Sequence, residues 1–155
     1  MDIVKDVEEI LKQRNPHEKK RGSEKLSDVF EYVRDLSQRD VAEGVQFLLA
    51  AALLEDDQDV QESFFHTINN AVVYQHIECR VDWDTLATSL SSLGKWELEY
   101  ALDILGMSGK ATYQPILEEY THHVDPEIRE WAQEAITERE YRIAHTLASQ
   151  KEAVS

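Results

Sequence analysis

Apolar side chains recur every three or four residues along nearly the whole chain, and no stretch alternates apolar with polar as a half-buried strand would. Ile3, Val4, Val7, Ile10 and Leu11 make the first stripe. Asn15-Pro16 ends it, because proline disfavours a helical residue before it. Residues 16–22, with Lys19-Lys20-Arg21, read as an exposed basic loop. Ser23 stands where it would cap a helix over about residues 24–36, with Leu26, Val29, Phe30 and Val33 inward. Asp40 with Glu43 matches the acidic form of a capping box. The helix predicted from there to Leu54 is apolar on most sides, as central buried helices are.

Asp56, Asp57 and Asp59 supply the next turn and cap, and a helix over 60–76 carries Phe64, Phe65, Ile68, Ala71 and Val72. Asp82 opens a shorter helix with Leu86 and Leu90, which Gly94 closes as a C-terminal glycine. Residues 96–107 form a helix with Tyr100, Ala101, Ile104 and Leu105 on one face, broken at Ser108-Gly109. Thr112 begins another, with Pro115 in its first turn, where the missing N–H costs little. Asp125-Pro126 pairs a capping Asp with proline at the first helical position, and the helix it starts runs to about Ala148. Residues 149–155 are expected to fray. The whole reads as one domain, 1–155, with an N-terminal helix and basic loop over 1–22.

The pattern repeats. Asp57, Asp59, Val60, Glu62 and Phe64 lie 68 residues before Asp125, Glu127, Ile128, Glu130 and Ala132. Between them, Tyr100-Ala101 and Ile104-Leu105 lie 31 residues before Trp131-Ala132 and Ala135-Ile136. Over 96–138 this resembles the HEAT repeat: an amphipathic helix with a small residue in its middle, a Gly-containing turn, a second helix, then an Asp-Pro-Glu-Ile-Arg start to the next unit. The match is fair over 57–95 and weak before it. Phe64 and Trp131 are bulkier than the alanine usual at such places. The resemblance implies an all-α, right-handed α-α superhelix of about three to four helix pairs, whose stacked pairs leave one curved face for a partner.

Charge narrows the partner. There are 31 acidic residues against 16 Lys and Arg, a formal net of −15. Residues 1–25 hold seven basic and six acidic side chains, so the deficit lies in the body that follows. Such a field repels nucleic acid and anionic lipid, which bind through Lys and Arg. It draws in basic surfaces, although acidity also serves solubility alone. Five glycines and three prolines are too few for a β-sandwich or barrel. Cys79 is the one cysteine, so no internal disulfide forms, and its neighbours Ile77 and Val81 suggest a small core residue. The longest apolar run, 47–54, is too short to span a bilayer, and no secretory signal opens the chain. Both point to a cytoplasmic protein.

Catalytic sets are missing. Glu119 and His122 have the Glu-x-x-His spacing of di-iron bundles, but no second copy accompanies them. No nucleophile elbow, zinc-protease motif or phosphate loop occurs. No cofactor or metal is expected, and the chain is read as a binding protein rather than an enzyme. Trp96, Tyr100, Tyr120 and Trp131 are possible anchors for a partner, Tyr100 and Trp131 falling at core positions, while Trp83 and Tyr113, near helix starts, are expected to be exposed. The predicted contact residues are Asp56, Asp57, Asp59, Glu62, Asp82, Trp83, Asp84, Tyr113, Glu118 and Glu119. Together these features suggest an immunity-type inhibitor that neutralises a basic protein, such as a nuclease toxin; the alternative is a general interaction scaffold.

Overall fold

The computed structural model describes the backbone of residues 1–154 and the side chains of residues 1–145. The described chain is all-helical: α1 (Ile3–Lys12), α2 (Pro16–Tyr32), α3 (Gln38–Leu54), α4 (Gln58–Gln75), α5 (Asp84–Thr88), α6 (Lys95–Met107), α7 (Gln114–Tyr120) and α8 (Pro126–Val154). Short 3-10 turns, Leu90–Ser92 and Ala111–Tyr113, precede α6 and α7. Among the described residues no helix is long and apolar enough to cross a membrane.

Helix α2 packs on α4, α4 on α6, and α6 on α8; α1 packs on α3, α3 on α4, and α7 on α8. Helix α4 therefore touches three long helices, and its Phe64, Phe65, Ile68, Ala71 and Val72 are fully buried. The centre lies there rather than in α3, which leaves Phe47 and Leu54 in solvent. Ala101, Ile104 and Leu105 are buried where the spacing predicted them. Gly106 lets α6 close on α8. A Cβ on it would lie 2.5 Å from the Ala135 carbonyl oxygen, so only hydrogen fits there.

Several boundaries differ from the expectation. The segment 16–22 is no loop. Asn15 caps α2 by accepting the His17 N–H, proline takes the first turn, and Lys19 pairs with Glu55 at 3.1 Å. Ser23 caps nothing. It is buried inside α2, where its hydroxyl meets that of Thr67 at 2.7 Å and donates to the Ser63 carbonyl. Asn70 Nδ2 donates to Ser27 Oγ one turn further along, so small polar residues hold α2 and α4 together. Ser37, not Asp40, caps α3. Gly94 precedes α6 as its N-cap instead of ending α5. Cys79 is exposed, not core. The α8 backbone is helical through Val154, past the end expected near residue 148; the rest of the tail call, Ser155, lies outside the described residues.

Candidate functional site

Charge and exposed aromatic rings gather on the solvent side of α4, α6 and α8. Asp59, Glu62 and His66 of α4 share a shallow groove of about 250 Å³ with Tyr100 of α6 and with Lys20 and Glu24 of α2. The His66 and Tyr100 rings lie 5.9 Å apart. One turn along, Asn69 Nδ2 donates to Asp103 at 3.0 Å. Helical spacing sets these neighbours: His66 and Asn69, like Glu99 and Asp103, are three or four residues apart and share a face.

The electrostatics tie the three helices into one strip. Burial lifts the Glu99 carboxyl above its ordinary range, and the charges of Asp103, Glu127 and Glu134 add to the lift. Desolvation does the same to Asp103, with Glu138 adding repulsion and Asn69 and Arg142 opposing. Burial raises the Tyr100 hydroxyl, helped by Glu62 and Glu99. Repulsion between α6 and α8 carboxylates thus adds to burial, while Lys95 pairs with Glu127 and Arg142 with Glu138.

At the N-terminal ends of α6 and α8 stands an aromatic pair. The Trp96 and Trp131 rings are 6.0 Å apart, and Trp96 is 50% exposed. The Lys95 ammonium lies 5.7 Å from both ring centroids and 3.0 Å from both Asp125 Oδ2 and Glu127 Oε1. Tyr100 and Trp131, predicted as core, are only half-buried. They border the core and show one side to water.

The residues singled out by sequence fall into separate places. Asp59 and Glu62 belong to the strip, Asp56 is exposed beside it in sequence, and Asp57 caps α4 by accepting the N–H groups of Asp59 and Val60. Asp82 accepts the Asp84 N–H, while its own backbone exchanges two hydrogen bonds with the Gln46 amide of α3. Glu118 and Glu119 are exposed on α7, with Glu118 held by Gln114. The expected exposure of Trp83 and Tyr113 is overturned. Trp83 is fully buried with its indole donating to the Glu78 carbonyl, and Tyr113 is 2% exposed with its hydroxyl donating to Asp84 at 2.6 Å. Each precedes a short helix that needs an apolar anchor, and each buries its ring while satisfying its polar end.

Sequence reasoning missed Glu99, Asp103, Glu127, Glu134 and Glu138. Their seven- and four-residue spacing along α8 and four-residue spacing along α6 was the available signal. It marks one face per helix without saying which faces adjoin. A larger groove, about 540 Å³, lies between the α4–α5 turn, the end of α6 and α8. Arg142 there is bound by Glu78 at 2.7 Å and Glu138 at 2.8 Å, and His76, Cys79 and Tyr141 line it. No family model, curated protein or solved structure matches this chain.

Proposed function

We propose that the chain is a protein-binding module of HEAT type: a right-handed stack of helix pairs in which α4, α6 and α8 open successive units. The order of contacts supports this reading, since α4 packs on α6 and α6 packs on α8. So does the likeness of equivalent places: Val60 and Ile128, each three residues after a capping Asp, are both buried. Stacking of this kind makes a continuous outer face from helices that could not cover themselves alone.

Its function is to bind a basic protein in the cytosol, most simply as an immunity-type inhibitor that covers the cationic cleft of a nuclease or similar toxin. The observation that carries this is the acidic strip across α4, α6 and α8: Asp59 and Glu62 stand beside Tyr100, and Glu99 and Asp103 lie within repelling reach of Glu127, Glu134 and Glu138. A cationic partner would relieve that repulsion, which favours fast, salt-sensitive association.

Affinity capture from host lysate, with the triple variant Asp59→Lys, Glu62→Lys and Glu99→Lys beside the native chain, tests this. A basic protein held by the native chain at low salt, lost at about 0.5 M salt and lost with the variant, is the expected result. Partners indifferent to salt and to the reversal would instead mark a general scaffold with an apolar docking face.

A further inference from the structure

We propose that Trp96 and Trp131, with Asp125 and Glu127, form a receptor for an arginine side chain of the partner, and that Lys95 occupies it in the free protein. This rests on the acidic-face reading above and names the anchor point within it.

A cation over the face of an indole is attracted by the ring quadrupole, with an outer limit of about 6 Å from the centroid. Lys95 sits near that limit for both rings at once, at 5.7 Å, while two carboxylates hold its ammonium at 3.0 Å. The site therefore already selects a cation, and does so with a compact one that reaches neither ring closely. A guanidinium is planar, stacks on an indole and gives two parallel N–H donors to a carboxylate, so it fits these four groups better than an ammonium. Trp96 is half exposed, which leaves the outer side of the pair open to an incoming chain. Charge complementarity favours the same occupant. Glu127 and Glu134 lie close enough to Glu99 for their charges to act on it, so acidic groups beyond those that hold Lys95 border the entrance. An arriving arginine would displace Lys95, and the freed ammonium would swing out to solvent on its flexible stem.

The test is calorimetric titration of octa-arginine into the native chain, Trp96→Ala, Lys95→Met and the double variant. Trp96→Ala removes no charge, and as a half-exposed residue it should leave the helical circular dichroism unchanged. It should weaken binding about fivefold at about 150 mM salt, the size of a partly desolvated cation–π contact. Lys95→Met should tighten binding, and the gain should shrink in the double variant, since a purely electrostatic gain would survive the loss of Trp96 in full. Octa-lysine should lose less than octa-arginine on Trp96→Ala. Native binding that Trp96→Ala leaves unchanged, or a Lys95→Met gain that persists in full in the double variant, overturns the receptor and leaves the acidic face standing. No binding of octa-arginine by the native chain even at low salt overturns both.

Discussion

Glu97 stands in α6 where Val60 stands in α4. Each follows its helix cap by three residues, and each is only 1% exposed. Ile128 takes the same place in α8. Neither carboxylate oxygen of Glu97 finds a hydrogen-bond partner among the described residues. An acid in the first turn gains about 0.5 kcal/mol from the helix dipole, but an unsatisfied buried polar group costs about 1–3 kcal/mol, so the cost dominates.

Glu97→Val should therefore raise the unfolding free energy by about 1–3 kcal/mol, read as a higher urea midpoint at unchanged m-value. A lower midpoint would mean that the carboxylate is supported by something outside these contacts. Gly94 supplies an internal control. A Cβ there would meet Glu97 Oε2 at 2.6 Å and Gln58 Nε2 at 3.1 Å, ends of side chains that can turn aside, so Gly94→Ala should cost little in the native chain and less still beside Glu97→Val.

The α6–α8 crossing makes a second prediction. The atoms that a Cβ on Gly106 would strike are backbone, the Ala135 carbonyl oxygen at 2.5 Å and its Cα at 2.9 Å, and backbone cannot turn aside as a side chain can. Gly106→Ala should cost about 1–3 kcal/mol and lower Tm by roughly 2–12 °C. An unchanged melting curve would show that α6 and α8 do not approach so closely.

Much of this fold was legible because it rests on stripes that any helix must bury. The Phe64–Ile68–Val72 and Ala101–Leu105 stripes have no alternative place to go, and Asp57 and Asp125 announce their helix starts by type and position. What stayed hidden depends on which helices meet. Ser23 reads as a cap by itself; only the arrival of Thr67 from 44 residues away makes it a buried hydroxyl pair. Trp83 and Tyr113 look exposed because they sit near helix starts, yet the core needs their rings because α5 and α7 are too short to bring enough aliphatic surface. The strip was half legible for a related reason. Asp59 and Glu62 cluster in sequence, whereas Glu99 and Glu134 become neighbours only when α6 lies on α8.

The burial of Glu99, together with repulsion from its acidic neighbours, should appear in the pH dependence of stability. The folded chain holds the Glu99 proton more tightly than the unfolded chain does. Between the ordinary glutamate pKa, about 4.3, and the raised folded value, the folded state binds more protons, so this group lowers stability as pH climbs through that window. Above it the penalty is complete. Glu99→Gln should then stabilise at pH 7 by roughly 0.5 kcal/mol or less, the scale of partly exposed charge pairs, and change little at about pH 3. Equal stabilisation at both pH values would assign the effect to packing instead of charge.

Tyr113 gives the opposite end of the pH scale. Burial pushes its hydroxyl well above the ordinary tyrosine range, and the hydrogen bond to Asp84 and the charges of Asp84 and Asp82 push the same way. The folded state therefore favours the protonated phenol. That stabilisation is whole below the unfolded tyrosine value, about pH 10, and is lost as pH rises from there toward the folded value. Tyr113→Phe keeps the ring and removes both the hydrogen bond and the titration. At neutral pH it should cost about 1–2 kcal/mol, since Asp84 is exposed and water can replace its lost donor. Above about pH 10 the native chain should lose stability faster than the variant, so the two curves converge. They need not meet, because burial also raises Tyr100 and Tyr120 in both proteins. Urea midpoints from pH 7 to about pH 11 would show the convergence, and parallel curves would rule out the Tyr113–Asp84 bond as its source.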